Sequence, residues 1–347
     1  MKNIIIITNE ISRRGGIEEV TRQVKNIFEI TSDYKVEVIF YPHNIFLELH
    51  LKAKLLLKSK EDNILMFMHP FILHRFNKIW LNLYKGKVIC WAYGIDVWGN
   101  FGKAHTKNFI NIDLIIAISE FTKKQVHKNY PTINISVVNL GVDEQLIKNI
   151  DYNTKENFEI LTVGRLSNNE RYKGHDLVIQ ALINLRNKGI DDIIYHIVGS
   201  GNDQDRLKKL VNENNLCKNI IFHGYVSDDN IYEIYNKCSV FVMPSQVIKR
   251  DQLIWGGEGF GLVYLEAALY QLPVIATNEG GQTDCIIDGQ TGFLIGNILD
   301  LENRIQYFYE NKEQVIEMGK NARKYVLNRF TINHFSNRLL ESIQTIF

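Results

Sequence analysis

The sequence has few cysteines, few prolines and no long apolar run. Its four cysteines are widely spaced and none forms a C-x-x-C pair, which argues against a disulfide framework or a zinc site and favours a reducing compartment. No apolar segment approaches the roughly 18 residues that span a bilayer, and the start lacks a signal-peptide pattern. We therefore expect a cytoplasmic protein.

The chain is long, nearly neutral overall and unevenly charged. Its 347 residues suffice for two domains of ordinary size. The net charge is +1, but residues 1–150 carry 20 basic and 14 acidic side chains, whereas residues 151–347 carry 20 and 25. Two explanations stay open: the basic first half meets an anionic partner, or the difference reflects chance and local solvation.

Short apolar runs alternate with longer amphipathic stretches along the whole chain. The predicted strands are 3–8, 35–41, 63–68, 87–92, 113–117, 135–138, 158–163, 192–198, 219–222, 239–243, 273–276 and 292–295. The predicted helices are 17–30, 119–129, 174–188, 203–214, 229–236, 260–270, 301–309 and 313–328. This alternation indicates an α/β protein with parallel sheets. The polar stretch 142–157 is the predicted linker between two such sheets.

The segment 258–266 combines a glycine-flanked carboxylate with the start of a helix. Glycines around Glu258 let a backbone approach a ligand closely, and a helix beginning near Gly261 would point its N–H groups at a phosphate. Carboxylates accept hydrogen bonds from sugar hydroxyls, which suits Glu258 and Glu266. Phosphate donors and hydroxyl acceptors in one short segment indicate a nucleotide-sugar site.

Three other loops that follow strands carry glycines or cations suited to a diphosphate. The pair Gly15-Gly16 precedes a helix, but it is a weak signal alone and lacks the G-x-G-x-x-G pattern of dinucleotide dehydrogenases. Arg165 and Lys173 lie in a loop where two cations can neutralise a leaving diphosphate, the alternative being a solvated basic loop. Gly199 stands in a further strand-to-helix turn.

Two features of the first half suit an acceptor. The loop 91–99 contains aromatic residues, glycines and one acid, Asp96. Two interpretations stay open: the loop forms the wall of a sugar site, or its aromatic residues form a buried cluster. His69 ends another strand, where a structural role is the more frequent one.

The ordered set of these segments resembles the retaining glycosyltransferases of family 4. The matching segments, in family order, are 15–16, 119–122, 139–143, 164–166 with 173–174, 223–226, 243–245, 258–266, and 280–281 leading to 288–292. The resemblance implies the α/β GT-B fold, two Rossmann-like domains whose parallel sheets face a central cleft. It also implies an acceptor-binding domain at 1–150, a donor-binding domain at 151–328 and a C-terminal helix at 329–347 that crosses back to the first domain.

The resemblance also implies roles for individual residues. The implied catalytic residues are Arg165, Lys173, Glu258 and Asp96. The implied donor-binding residues are Gly15, Gly16, Gly164, Arg165, Lys173, Gly199, Val226, Glu258, Gly259, Phe260, Gly261, Leu262 and Glu266. The implied acceptor-binding residues are Tyr93, Asp96 and His69. In this scheme Glu258 holds the donor sugar, Glu266 the ribose, and Arg165 with Lys173 the diphosphate.

Two departures from the family pattern bear on the chemistry. Many relatives have histidine where this chain has Tyr93, and a phenol with an ordinary pKa of about 10 cannot act as a base near neutral pH, so Asp96 becomes the stronger candidate. After Gly280-Gly281, the run 282–284 replaces the usual apolar residue and glutamate.

Neither a cofactor nor a metal ion is expected, since cations and a helix dipole do the metal's work in this family. The D-x-D run at 203–205 holds a metal in another class of sugar transferases, but its position at a helix start indicates a capping role here.

The implied function is transfer of a sugar from a UDP or GDP sugar to a glycan or lipid-linked acceptor in cell-surface polysaccharide biosynthesis, with no role for nucleic acid. A basic and apolar segment at 49–60 fits a peripheral contact with the inner face of the cell membrane, or else a core-packed helix with a solvated lysine face. The alternative function is a nucleotide-sugar-binding scaffold or regulator with impaired catalysis. The sequence shows no acid–base pair that would indicate an epimerase and no lysine that would indicate a pyridoxal-phosphate-dependent phosphorylase.

Overall fold

The computed structural model describes residues 2–9, 16–31, 33–42, 44–99, 102, 105–144, 157–227, 229–251 and 253–347. The chain divides into two compact units. The N-terminal unit comprises Met1–Leu140 and Phe335–Phe347, and the C-terminal unit comprises Gly141–His334. The domain scheme from the sequence places these boundaries at 150 and 328. Most of the predicted linker, 145–156, lies outside the described residues.

The N-terminal unit is built on a six-stranded parallel sheet in the order β2-β1-β3-β4-β5-β6. Its strands are β1 Lys2–Thr8, β2 Tyr34–Phe40, β3 Ile64–Phe67, β4 Lys87–Ala92, β5 Leu114–Ala117 and β6 Ile135–Val137. Its described helices are α1 Gly16–Ile30, α2 Ile45–Leu57, α3 Pro70–His74, α4 Lys78–Leu83, α5 Glu120–Asn129 and, at the end of the chain, α12 Ile332–Gln344, which begins in the C-terminal unit.

The C-terminal unit contains a second six-stranded parallel sheet in the order β14-β13-β10-β7-β8-β9. Its strands are β7 Glu159–Val163, β8 Ile194–Val198, β9 Ile220–Gly224, β10 Val240–Val242, β13 Val274–Thr277 and β14 Gly292–Ile295. Its helices are α6 His175–Asn187, α7 Gln204–Glu213, α8 Ile231–Lys237, α9 Leu262–Leu269, α10 Ile298–Glu310 and α11 Lys312–Arg329. A separate antiparallel hairpin joins β11 Ile248–Arg250 to β12 Leu253–Gly256.

The inner strands of both sheets are apolar on both faces, whereas the edge strand β2 carries Lys35 and Glu37. In β3 and β5 every residue is buried, which is possible only where helices cover the two sides of a parallel sheet. The fold class expected from the sequence, two Rossmann-like parallel-sheet domains, is confirmed. All twelve predicted strands are present, while the β11–β12 hairpin, α3 and α4 were not predicted.

The strand orders locate one crevice in each unit. In the N-terminal unit the order reverses between β1 and β3, and in the C-terminal unit it reverses between β7 and β10. Ligands of such sheets bind beyond the carboxyl ends of the strands at these reversals. The loops after β1, β3, β7 and β10 flank these reversals, and residues 10–15 of the first of them lie outside the described residues.

Candidate functional site

Three glycines lie side by side beyond the carboxyl ends of β7, β8 and β9. The Gly164 N–H donates to Val198 O at 2.9 Å, and the Gly199 N–H donates to Gly224 O at 2.7 Å. A Cβ on Gly199 would stand 2.0 Å from Gly164 O, and the φ of 132° there favours glycine. The three strand ends therefore form a floor without side chains, which a ligand can approach closely.

Two cations stand over this floor. The loop after β7 contains a 3-10 stretch, Asn168–Lys173, whose first turn is capped by the Ser167 side chain. The Lys173 ammonium group lies against Gly164, since a Cβ added there would be 3.2 Å from Nζ. Glu170 pairs with both cations, with Arg165 through Oε1 and with Lys173 Nζ through Oε2 at 3.3 Å. The side chain of Arg165 is 78% exposed, whereas that of Lys173 is 13% exposed.

Glu258 belongs to the same cluster. It lies in the turn before α9, and its carbonyl accepts a hydrogen bond from Gly281 N at 2.8 Å. Burial raises the pKa of its carboxyl group, and Lys173 opposes that shift. The structure thus brings together three of the four predicted catalytic residues, Arg165, Lys173 and Glu258, and adds Glu170, which the sequence reading left without a role.

The turn into α9 requires glycine. Gly261 has φ 97°, and a Cβ there would lie 2.4 Å from the Tyr264 ring, so only glycine fits the helix start. Gly261 itself has no side chain to cap the helix, and the first N–H groups of α9 are therefore oriented as an anion site requires. Gly259, Phe260 and Leu262 lie in this same turn, with Phe260 buried.

Glu266 is exposed on the second turn of α9 and has a partner of its own. Its Oε2 accepts a hydrogen bond from Tyr235 of α8 at 3.4 Å. Tyr235 in turn stacks on Tyr270, with ring centroids 4.8 Å apart. Val226 is partly buried in the loop between β9 and α8. These positions are compatible with a nucleoside, and the roles assigned to Glu266 and Val226 stay predictions.

In the N-terminal unit, a second cluster forms beyond β3 and β4. The Asp96 carboxylate accepts hydrogen bonds from the N–H groups of Tyr93 at 3.1 Å and Gly94 at 2.5 Å. His69 caps α3 by accepting a hydrogen bond from Phe71 N at 3.1 Å. Burial lowers the pKa of His69, while Asp96 and Glu18 act to raise it. His69 and Asp96 therefore interact electrostatically, and so does Glu18 of α1, which was not predicted.

Tyr93 carries an unsatisfied group in this cluster. Its hydroxyl is buried and has no hydrogen-bond partner among the described residues, and burial together with Asp96 raises the pKa of this phenol well above its usual value. A buried hydroxyl without a partner is a donor available to a bound molecule. Gly16 is the first residue of α1, and a Cβ added to it would have no heavy atom within 4 Å. Gly15 lies outside the described residues.

The unusual Gln282 has a structural explanation. Its side chain is fully buried, and its amide donates to Ser245 O at 3.0 Å, Thr277 Oγ1 at 2.6 Å and Glu279 O at 2.6 Å. These bonds tie the loops after β10 and β13 together. Gln282 therefore supports the backbone that carries Gly281 and, through it, Glu258.

Two groups of residues have side chains of the kind that bind metal ions. Asp203 stands at the start of α7 without capping it by its side chain. Its carboxylate pairs instead with Arg171 at 2.6 Å and Arg206 at 2.6 Å, which lower its pKa, Arg206 being the larger influence. The predicted capping role of Asp203 is therefore wrong, because its carboxylate is engaged by Arg171 and Arg206 instead.

The second group was not visible in the sequence spacing. Glu159, His196 and Cys238 place one potential ligand atom each within 4.8 Å of one another. His196 Nε2 bonds directly to the Glu159 carboxylate at 2.5 Å, and Lys237 also pairs with Glu159 at 3.3 Å. The Glu159 carboxylate is thus engaged by His196 and Lys237.

A comparison with protein families decides the identity of the C-terminal unit. The family described as "Glycosyl transferases group 1" matches residues 143–325, just over half of the chain. The chain belongs to this family. The matched region contains the glycine floor, the Arg165–Lys173 loop and the whole turn into α9.

Individual relatives agree with this assignment. An uncharacterised glycosyltransferase of Methanocaldococcus jannaschii, MJ1178, is 31% identical over 218 residues, which are 62% of this chain and 55% of that protein. The alignment therefore spans little more than half of that relative's length.

Solved structures share the fold. The lipopolysaccharide outer core galactosyltransferase WaaB has a TM-score of 0.79 at 20% identity, covering 99% of this chain and 100% of that one. The Anabaena protein Alr3699/HepE, solved in complex with UDP-glucose, has a TM-score of 0.76 at 19% identity, with the same coverage of 99% and 100%. At this identity the likeness concerns the architecture of two Rossmann-like domains.

Proposed function

We propose that the protein is a retaining glycosyltransferase of family 4 that transfers a sugar from a nucleoside diphosphate sugar without a metal ion. The observation that carries this proposal is the convergence of Lys173, Arg165 and Glu258 beside the uncapped start of α9. Two cations and a helix N-terminus suit a diphosphate, and a carboxylate beside them suits sugar hydroxyls.

The leaving group is the first part of the mechanism. As the bond to the anomeric carbon breaks, negative charge grows on the diphosphate. Lys173 presents a compact ammonium group over the bare Gly164, and the exposed Arg165 can fold its planar guanidinium onto the phosphates. Fixed positive charge at the place where anionic charge develops lowers the barrier. No metal ion is needed for that stabilisation.

Glu258 has a positioning role in this scheme. Its carboxylate accepts hydrogen bonds from donor-sugar hydroxyls and so orients the anomeric carbon, while Glu266 receives the ribose. The proposed stereochemical course is retention by attack from the face of the leaving group, whose phosphate oxygen takes the acceptor proton. Neither glutamate then acts as the base.

The N-terminal unit supplies the acceptor site in this proposal. Asp96 and His69 interact electrostatically in it, and the Tyr93 hydroxyl is a donor without a partner among the described residues. These groups can hold acceptor hydroxyls beyond the ends of β3 and β4. One solved relative named above is a lipopolysaccharide outer core galactosyltransferase and the other binds UDP-glucose. This supports a UDP sugar as donor, with a GDP sugar as the alternative, and a cell-surface glycan or lipid-linked glycan as acceptor.

The N-terminal unit also presents an apolar surface that fits a lipid-linked acceptor. Helix α2 buries a charged residue, Glu48, and exposes large apolar ones; Phe46 is 78% and Leu57 88% exposed. Burial of Glu48 opposes its ionisation, but hydrogen bonds from Lys52 and Arg75 hold its pKa at about 2.

The outward face of α2 is thus unusually apolar, with exposed lysines such as Lys54 and Lys58 beside it. Such a face inserts into the boundary of an anionic bilayer. The segment expected from the sequence, 49–60, overlaps this helix, which begins at Ile45 and ends at Leu57. Among the described residues, no helix is long and apolar enough to cross a bilayer.

A donor screen tests the proposed function. Purified protein in EDTA is incubated with UDP-glucose, UDP-galactose, UDP-N-acetylglucosamine and GDP-mannose, and free nucleotide is measured by chromatography. We expect slow release of nucleotide from at least one donor, and loss of that release in Glu258→Gln. Binding of nucleotide with no turnover of any donor, and a gain of turnover in Tyr93→His, would instead support a scaffold with impaired catalysis. The absence of both binding and turnover would contradict the proposal.

A further inference from the structure

The β11–β12 hairpin stands next to the proposed donor site and has no role in it so far. It leaves the sheet after Ser245 and returns two residues before Glu258. Its base is fixed on both sides. The Gln246 N–H donates to Tyr172 O at 2.7 Å, and a Cβ on Gly256 would be 3.2 Å from the Tyr172 ring. Within β11, Lys249 forms an ion pair with Glu279, which precedes Gly280.

The anchoring residues belong to the two loops of the donor site. Tyr172 immediately precedes Lys173, and the carboxylate of Glu258 lies near enough to raise the pKa of the Tyr172 phenol, though burial is the larger cause. Glu279 precedes the glycine pair that supports the Glu258 carbonyl. The hairpin is therefore rooted on the rim of the donor site rather than elsewhere on the unit.

The hairpin turns an aromatic side chain outward. Trp255 is 43% exposed, whereas its neighbour Ile254 is buried. The other tryptophans of the chain, Trp80, Trp91 and Trp98, are all buried. The Arg250 guanidinium lies over the Trp255 ring, with its carbon 5.7 Å from the centroid.

We infer that Trp255 and Arg250 form a binding platform for a pyranose ring of the acceptor. An exposed indole offers a flat apolar face to the C–H face of a sugar. The Arg250 guanidinium, whose carbon is 5.7 Å from the ring centroid, supplies N–H donors for hydroxyls of a sugar on the other ring face. The base of the hairpin contacts Tyr172, the neighbour of Lys173, whereas Trp255 is turned to solvent, so we assign the platform to the acceptor and not to the donor sugar. This inference rests on the proposed function.

The net charge of the platform favours a neutral sugar. Lys249 is already paired with Glu279, and Asp251 follows Arg250 in the turn. Lys249, Arg250, Asp251 and Glu279 thus contribute two basic and two acidic side chains. A neutral hexopyranose, held by stacking and hydroxyl hydrogen bonds, suits this balance better than an acidic one.

Saturation-transfer NMR tests this inference with simple probes. The methyl glycosides of glucose, galactose, mannose and N-acetylglucosamine are each added to the protein in the presence of UDP. We expect transfer to at least one of them, a loss of about tenfold in its affinity in Trp255→Ala, and retention of most of it in Trp255→Phe. The exposed Leu299, in the same unit, provides the control variant Leu299→Ala, which should match the wild type.

Tryptophan fluorescence provides a second readout. Since the other three tryptophans are buried, a sugar that stacks on Trp255 should shift the emission of the wild type and not that of Trp255→Phe. UDP binding measured by calorimetry should be equal in all variants. A failure of both UDP and GDP to bind the wild type would contradict the proposed function. The sugar data would then be judged separately from the same variants.

Three results would overturn the inference. The first is that no glycoside binds the wild type. The second is that Trp255→Ala binds as the wild type does. The third is that intact UDP-glucose, added in place of UDP, displaces the glycoside, because this would place the platform in the donor subsite.

Discussion

Glu170 and Lys173 form an ion pair of 3.3 Å in which the second oxygen of Glu170 holds Arg165. One carboxylate thus pairs with both of the cations that bind the diphosphate in the proposed mechanism. A carboxylate and a phosphate make the same kind of bond with ammonium and guanidinium groups. We interpret Glu170 as the residue that keeps Arg165 and Lys173 in place until the nucleotide replaces it as their partner.

Substitutions of two neighbouring glycines in the floor are expected to differ in their effect on stability. A Cβ on Gly164 would meet the end of the flexible Lys173 side chain at 3.2 Å, whereas a Cβ on Gly199 would meet Gly164 O at 2.0 Å and sit at φ 132°. We expect Gly164→Ala to change unfolding free energy by less than about 1 kcal/mol while weakening UDP binding, because Lys173 must move. Gly199→Ala should cost at least about 2 kcal/mol. Chemical denaturation and calorimetry of the two variants measure this contrast; equal stability losses would contradict it.

The buried carboxyl group of Glu258 is expected to lower the stability of the protein by an amount that depends on pH. Burial raises the pKa of this carboxyl above its ordinary value of 4.5, so the folded state holds the proton more tightly than the unfolded state. Its contribution to stability is therefore full below pH 4.5 and declines as the pH rises through the folded pKa. Glu258→Gln should remove this decline, so its melting temperature should exceed that of the wild type by a margin that grows from pH 4 to pH 7. A constant margin would contradict the assignment.

His175 predicts a loss of stability in acid. It is the first residue of α6, its Nε2 is buried without a partner among the described residues, and burial followed by Lys173 lowers its pKa from 6.5 to about 4. Its neutral form stabilises the fold above pH 6.5, and this contribution is lost as the pH falls towards 4. A shift of this size corresponds to roughly 3 kcal/mol. Urea unfolding at pH 7 and pH 4.5 should show that His175→Gln loses less stability than the wild type over this range.

The apolar face of α2 predicts reversible membrane binding. Replacing the exposed Phe46 and Leu49 together by serine removes apolar area without touching the Glu48 ion pairs. Sedimentation with vesicles of phosphatidylglycerol and phosphatidylcholine should pellet the wild type and not the double variant. The control Ile316→Ser, on an exposed site of α11 in the C-terminal unit, should pellet with the vesicles. Equal sedimentation of the double variant and the wild type would refute a membrane role for this helix.

Much of the fold was predictable because burial on both faces leaves a direct mark on the sequence. The four buried residues of β3, Ile64–Phe67, are all large and apolar, and no polar residue interrupts them. The β11–β12 hairpin left no such mark, since Lys249, Arg250 and Asp251 interrupt a short apolar stretch. Its pairing depends on anchoring to Tyr172 and Glu279, which are distant in sequence.

The candidate site was predictable in its positions and not in its interactions. Glycines and cations after strands located Gly164, Lys173 and Glu258. The double pairing of Glu170 depends on the 3-10 turn that brings it back over Arg165, and no spacing rule encodes that turn. Similarly, Glu18 reaches the surroundings of His69 only through the placement of α1.

The most direct test of the proposed donor site is a calorimetric titration of UDP and GDP into the protein in EDTA. One nucleotide should bind the wild type without metal, and Lys173→Ala should weaken that binding at least about tenfold, equivalent to 1.4 kcal/mol. Lys320→Ala, an exposed lysine on α11, should bind as the wild type does. Binding that requires a divalent metal, or that is unchanged in Lys173→Ala, would contradict the account.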